Sequence, residues 1–275
     1  MANNFYPMEE SKIGSGYQGE PIDIQSVLEE VSEATAKTGW KKDSVSFVSE
    51  GSVGSVELIA YHRISKPALH RVYLSTGIHG DEPAGPMAVL QLLKQNVWPQ
   101  GVDVFLCPCL NPTGFSLNRR ENDKGVDLNR DYRDLQTGET RGHTEWLRRK
   151  PRFDVSLSLH EDWESKGFYI YELNPDDRPS FAKKIISRVA EICPIDRSST
   201  IDGWPAENGV IHPDKDPFER PQWPEALFLI TNKTRLSYTL EAPSSLPLET
   251  RVAALVKAVR AVLDSVSEHP VLTPE

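Results

Sequence analysis

His79 and Glu82 stand three residues apart in Thr76-Gly77-Ile78-His79-Gly80-Asp81-Glu82, directly after an apolar run that reads as a buried strand. An imidazole nitrogen and a carboxylate oxygen at this spacing can bind one divalent metal, and the flanking glycines let the backbone turn there. Three later segments carry the other parts of a hydrolytic metal site: Asp127-Leu128-Asn129-Arg130, Ser158-Leu159-His160 and Leu240-Glu241. A catalytic zinc takes three protein ligands and leaves its fourth position to water or substrate. His79, Glu82 and His160 make such a set. Hydrolysis then needs a carboxylate that takes the water's proton and returns it to the leaving amine; Glu241, at the end of an apolar strand, is the candidate. Arg120 can serve the oxyanion that develops beside the metal, and Arg130, paired with Asn129, can hold a substrate carboxylate in bidentate geometry. Taken singly, each residue also has a bland reading as a cap, a turn or a solvated side chain. Their joint order along the chain favours a site.

Hydrophobic periodicity shows the elements that must position these groups. A helix is expected after Pro21, with Ile24, Val27, Leu28 and Val31 on one face. Strands are expected over 44–48 and 55–61, around the turn Glu50-Gly51-Ser52, and over 71–76, 102–106, 153–159, 168–172 and 237–240. Helices are expected over 85–95, 180–192 and 249–266. The stretch Thr200 to Pro224 is rich in Pro, Trp and Gly, has no clear period, and reads as a long functional loop. The alternation predicts an α/β fold of three layers, α/β/α, around a mixed, mostly parallel sheet. His79, His160 and Glu241 then fall at the carboxyl ends of strands, where ligand sites gather in open α/β sheets.

Bulk composition narrows the function classes. The chain has 275 residues, 26% of them charged, and a net charge of -9, which argues against a phosphate-backbone binder. No apolar run approaches the roughly 20 residues of a bilayer span, and Met1 to Pro7 shows no basic start with an apolar core. Neither a nucleic-acid nor a membrane partner is expected, and the cytoplasm is the expected location. Cys107, Cys109 and Cys193 read as buried reduced thiols, because Cys-x-Cys lacks the spacing of a structural zinc site.

These segments resemble the zinc carboxypeptidases (the carboxypeptidase A-like metallopeptidases), nearer the short bacterial-type members than the digestive enzymes. The resemblance rests on His79-Gly-Asp-Glu82, Asn111-Pro112-Thr113-Gly114, the run from Arg120 to Tyr132 that includes Asp127-Leu-Asn129-Arg130, Ser158-Leu159-His160, and Tyr238-Thr-Leu-Glu241. It covers about residues 70 to 245. It implies one zinc ion per chain on His79, Glu82 and His160, Glu241 as general base and acid, Arg120 beside the scissile carbonyl, and Asn129 with Arg130 at the substrate's terminal carboxylate. Arg119 is the neighbouring alternative to Arg120; the Arg-x-Asn-x-x-Gly spacing favours Arg120. The expected activity is hydrolysis of an amide bond in a small peptide with a free carboxylate. The alternative is an N-acyl amino acid deacylase of the aspartoacylase or succinylglutamate desuccinylase type, against which the Asn111-Pro-Thr-Gly114 piece leans. One hydrolase domain over 1–275 is expected, with an irregular segment over 1–20 and the loop 200–224 near the site. Digestive members carry a tyrosine on a loop ahead of the catalytic glutamate, whereas residues 201–230 here contain none. The acidic run Glu161-Asp162-Trp163-Glu164 is open to two readings, attraction of a cationic substrate group or a solvated turn.

Overall fold

In the computed structural model, residues 20–51, 54–213 and 220–268 are described. The irregular segment expected over 1–20 lies outside them apart from Glu20, as does Ser52 of the first expected turn. One sheet of ten strands runs through the molecule in the order β1-β2-β4-β3-β5-β10-β6-β9-β8-β7. Its strands are β1 (Lys41–Gly51), β2 (Gly54–Arg63), β3 (His70–Thr76), β4 (Val102–Cys107), β5 (Val155–Asp162), β6 (Tyr169–Leu173), β7 (Thr200–Ile201), β8 (Trp204–Glu207), β9 (Val210–Ile211) and β10 (Ser237–Pro243). The centre, β4-β3-β5-β10, is parallel. The flanks are largely antiparallel: β1, β2 and β4 on one side, and β10 with β6 and the β7-β8-β9 meander on the other. The expected mostly parallel sheet is corrected on this point. Parallel neighbours need long crossovers, which the chain supplies between the central strands and between β6 and β9, whereas β1–β2, β7–β8 and β8–β9 follow one another through short turns and pair antiparallel.

The stretch 200–224 is also corrected, because its first half is not a loop. Asp202-Gly203 and Asn208-Gly209 are two-residue turns with all four residues at positive φ (47°, 73°, 53° and 82°). Such Asp-Gly and Asn-Gly pairs close hairpins whose twist matches the strands they join. Residues 214–219 lie outside the described residues.

Helices cover both faces of the sheet. On one lie α1 (Ile24–Lys37), α2 (Ala84–Gln95), α5 (Ala182–Val189) and α7 (Leu248–Glu268). Their apolar stripes, with Ile24, Val31, Leu92, Ile185, Leu255 and Val259, pack on Val72, Leu74, Val104, Leu157 and Leu240. Fully burying each such side chain contributes about 1.5–3 kcal/mol. Asp23 caps α1, accepting from the Gln25 and Ser26 N–H groups at 3.1 and 3.2 Å. On the other face lie α4 (Gly138–Arg148) and α6 (Glu225–Asn232), where Trp146, Leu147, Phe228 and Leu229 meet Tyr73, Phe105 and Phe153. A short α3 (Pro112–Ser116) follows β4.

Strand alternation sorts the chemistry between these faces. In Val155-Ser156-Leu157-Ser158-Leu159-His160 the apolar residues point to the α7 side, and the serines and His160 to the α6 side. The same alternation in Ser237-Tyr238-Thr239-Leu240-Glu241 puts Glu241 with His160.

Gly209 offers a test of the hairpin reading. A Cβ there would lie 2.6 Å from the Ile195 side chain, whereas one on Gly125, also at positive φ, meets nothing within 4 Å. Gly125→Ala is expected to lose about 1–2 kcal/mol from left-handed backbone alone. Gly209→Ala is expected to lose measurably more, read as the gap between their urea midpoints.

Candidate metal centre and active site

The site starts where β3 stops. Gly77, at φ 64°, turns the chain out of the strand. Gly80 then presses backbone to backbone on α3; a Cβ there would sit 2.1 Å from the Gly114 carbonyl carbon. Asn111, fully buried, ties this corner together. Its Oδ1 caps α3 at the Gly114 N–H (2.9 Å), and its Nδ2 donates to the carbonyls of Ile78 and Arg120, both at 3.1 Å. One side chain thus holds the histidine loop against the arginine loop, which gives Asn111-Pro112-Thr113-Gly114 a physical role.

His79, Glu82 and His160 are all buried, 2%, 7% and 4% exposed. Among the described residues they form a group whose metal-ligating atoms lie within 4.8 Å of one another. Glu82 offers one oxygen to each imidazole, Oε1 at 2.5 Å from His79 Nδ1 and Oε2 at 3.1 Å from His160 Nδ1. His79 Nε2 has Asp127 Oδ1 at 3.4 Å as its acidic neighbour. Nε2 is buried and closes no hydrogen bond, while Nδ1 faces Glu82. An imidazole nitrogen and a carboxylate oxygen at 2.5 Å need a positive charge between them, a proton or a metal ion. A divalent cation satisfies this donor set: two imidazole nitrogens and a carboxylate, with Asp127 as the outer partner that orients a ligating histidine.

The electrostatics agree with that charge balance. Burial pushes the Glu82 carboxyl up, but the charges and hydrogen bonds of His79 and His160 outweigh it and hold Glu82 well below the usual range. Burial lowers His160. At His79, burial and Arg120 push down, yet Glu82 and Asp127 leave it raised. Asp127 is held well below its ordinary range: burial raises it, and the charge of Arg120 and the contact with His79 win.

Glu241 is paired in register with His160 across the parallel β10–β5 ladder and with Tyr169 across the antiparallel β10–β6 ladder. Burial raises its carboxyl well above the ordinary value, and the charges of Glu82, Asp162 and Asp202 add to that. Arg120 sits at the cluster, with Nη1 3.3 Å from His79 Nδ1 and Nε on Asp127 Oδ2 at 2.8 Å. Arg119 turns away to the Asn122 carbonyl. Asn129 and Arg130, both half-buried, follow on a single 3-10 turn (Leu128–Arg130) capped by Asp127, and Asn129 Oδ1 accepts from the Glu225 N–H at 2.9 Å.

Several contributors are not marked by sequence. Asp127, within Asp127-Leu128-Asn129-Arg130, contacts both His79 and Arg120. Glu161 is neither a solvated turn nor a substrate contact: it is buried, takes the Ala84 N–H at the start of α2 (2.5 Å), and is ion-paired with the buried Arg251. Burial raises it to about 7, against the pull of Arg251. Where no tyrosine comes from 201–230, β6 brings Tyr169 and Tyr171 to the Glu241 side. Tyr169 donates to Asp162 Oδ2 at 3.0 Å and Tyr171 to Asp202. The alternation Tyr169-Ile170-Tyr171 was the available signal. His212 is 62% exposed, with Glu172 3.9 Å away. The three cysteines are free and buried, and no helix among the described residues is long and apolar enough to cross a membrane.

Comparison with known proteins places this geometry. A family described as protein of unknown function (DUF2817) matches residues 24–144. Carboxypeptidase SOL1 of Arabidopsis thaliana is 32% identical over 143 residues, covering 40% of this chain and 29% of that protein. Carboxypeptidase 2 of Trichophyton tonsurans is 32% identical over 116 residues, covering 38% of this chain and 21% of that protein. The chain thus spans less than a third of the length of these relatives. In fold, a candidate metallopeptidase from Shewanella amazonensis superposes with TM-score 0.75 at 24% identity, over 90% of this chain and 94% of that one. A metallo-carboxypeptidase from Burkholderia cenocepacia superposes with TM-score 0.67 at 17% identity, over 90% and 70%.

Loading the site should stabilise the fold, by about 4 kcal/mol at a thousandfold excess over Kd. Thermal unfolding with and without zinc is expected to show a rise in Tm that His160→Ala abolishes; an equal rise in that variant would count against the cluster as the binding site.

Proposed function

From the kinship of this chain with the carboxypeptidases in sequence and in fold, we propose that it is a zinc-dependent metallocarboxypeptidase, hydrolysing an amide bond of a small peptide that ends in a free carboxylate. The observation that carries the reading is the convergence of His79, Glu82 and His160 with Glu241 in register beside His160 and Arg120 at the same corner. The curated relatives are carboxypeptidases, which favours a peptide over an N-acyl amino acid as substrate.

The residues divide the work. His79, Glu82 and His160 would hold the zinc ion, which when bound acidifies water and polarises a carbonyl. Glu241 takes the proton from the attacking water and hands it to the leaving nitrogen, a role suited to a carboxyl whose environment raises its pKa. Arg120 offers guanidinium N–H groups to the oxyanion as the carbonyl carbon becomes tetrahedral. Asp127 anchors Arg120 through Nε, which fixes the guanidinium at the same corner as His79. Arg130 and the carboxamide of Asn129 receive the terminal carboxylate, which fixes the scissile bond relative to Glu241.

Two variants separate these roles. Glu241→Gln is expected to retain zinc, measured by metal analysis after gel filtration, and to lose about 10²–10⁴-fold in kcat; loss of zinc with turnover would reassign Glu241 as a ligand. Arg130→Ala is expected to raise KM about 10- to 100-fold for free-carboxylate peptides, the worth of a charge-assisted hydrogen bond. A matching loss on C-terminally amidated peptides would count against the carboxylate role.

A further inference from the structure

Beneath the site, on the α6 side of the sheet, lies a second buried polar assembly that the proposed chemistry does not use. Glu225 is 1% exposed, and among the described residues its side-chain hydrogen-bond partners are the hydroxyls of Tyr73, Ser75 and Ser158. Its Oε1 accepts from the Tyr73 hydroxyl at 2.8 Å, and its Oε2 from Ser75 at 2.8 Å and Ser158 at 3.0 Å. His143, fully buried and pushed down to about 3 by burial, is neutral. Tyr73 spends its proton on Glu225, so at 2.8 Å from His143 Nε2 it must accept. The neutral imidazole therefore carries its proton on Nε2, and Nδ1 accepts from the Tyr132 hydroxyl at 2.7 Å.

These bonds close into a ring with one direction throughout. Tyr132 donates to His143, His143 to Tyr73, and Tyr73 to Glu225. The Glu225 N–H then donates to Asn129 Oδ1 at 2.9 Å, and the backbone from Asn129 returns to Tyr132. A second strut, Tyr132 N–H to Trp223 O at 3.1 Å, crosses beside it. The ring thus grips Asn129-Arg130-Asp131-Tyr132 at both ends, while Ser75 and Ser158 fasten it to β3 and β5, the latter two residues before His160. With Oδ1 held by the Glu225 N–H, the Asn129 carboxamide has one orientation, and its NH₂ is the end left to meet an anion.

We propose that this closed hydrogen-bonded ring sets the Asn129–Arg130 arm for the substrate's terminal carboxylate, making Tyr132, His143 and Glu225 positioning residues for substrate binding. The inference rests on the carboxylate role given above to Asn129 and Arg130. A buried polar network that is fully satisfied fixes one arrangement, and removing one member leaves the others with unmet donors and acceptors. A ring that serves stability alone would lower the unfolding free energy without touching the discrimination between free and blocked carboxyl ends.

The test uses the zinc-loaded full chain, with Tyr132→Phe and Glu225→Gln, each of which keeps side-chain volume. Tyr132→Phe carries the test if Glu225→Gln fails to fold. Amide hydrogen exchange is read at residues 128–132 and at 79–82. Kinetics are read on benzoyl-Gly-X dipeptides with free and with amidated C-termini. Faster exchange at 128–132 but not at 79–82 is expected, together with KM for the free-carboxylate peptides raised about tenfold, kcat within about twofold, and no change for the amides. Wild-type exchange at 128–132, or an equal KM change on both peptide series, overturns the proposal while leaving the carboxypeptidase reading intact. If the unaltered protein handles the two series alike, the carboxylate reading fails and this inference with it.

Discussion

Glu82 sets the terms for the rest of the site. A carboxylate buried at 7% exposure between two imidazoles is a large desolvation penalty concentrated in one place. It persists only if its partners are held to within a few tenths of an ångström. The sheet order meets that demand. β3 and β5 are hydrogen-bonded neighbours, so the His79 loop leaves the sheet next to His160. β10 is the next strand, so Glu241 arrives opposite His160 by register. What register cannot reach, side chains do: Asn111 binds the Ile78 carbonyl to the Arg120 carbonyl, and Asp127 spans Arg120 and His79. A metal site of this kind is as exact as the shell that supports it.

The two faces of the sheet divide the labour between cohesion and chemistry. Toward α7, β5 and β10 present leucines and a tyrosine to a layer bound mainly through apolar area, with the Phe181 N–H on the Tyr238 hydroxyl at 2.7 Å as a directed contact. Toward α6 the same strands present Ser156, Ser158, Ser237, His160 and Glu241, and the layer is bound by directed hydrogen bonds. Area tolerates small shifts, whereas directed bonds do not. Placing the directed layer on the side that carries the candidate ligands trades burial free energy for a unique arrangement, as polar networks in a low dielectric do when every member is satisfied.

Much of this was legible in the sequence. The helices over 24–37, 84–95 and 248–268 and the central strands stand out by apolar period, and the site residues fall at the carboxyl ends of those strands. Four kinds of feature did not show. The Asp202-Gly203 and Asn208-Gly209 turns carry the hairpin signal, but their strands are two to four residues long, too short to show a period. α4 hid because its buried face is polar, with Thr140, His143 and Thr144 beside Trp146 and Leu147. α6 reads as an apolar run, with Leu227 to Ile230 buried and no amphipathic stripe. The acidity of Glu161 suggested solvent because its counter-charge, Arg251, is ninety residues away, and sequence shows charge but not pairing. Pairings that close only in three dimensions, such as Asp127 with His79 or Tyr169 with Glu241, depend on register and cannot be had from spacing.

The charges around Glu241 argue that its chemistry and the cation belong together. Burial raises its carboxyl, and Glu82, Asp162 and Asp202 all add to that effect; Arg120 opposes it, with its Nε on Asp127. That setting favours the protonated form of the carboxyl. Two further positive charges held by Glu82 and the imidazoles would offset the like charges beside it and bring the group down toward the range in which it can both accept and return a proton. On the proposed role of Glu241, a bound cation would thus turn acidic surroundings that disable an isolated base into a means of matching it to its task. Tyr169 and Tyr171 donate their hydroxyls to Asp162 and Asp202, and a phenol's hydrogen bond stabilises a carboxylate without adding a cation beside it.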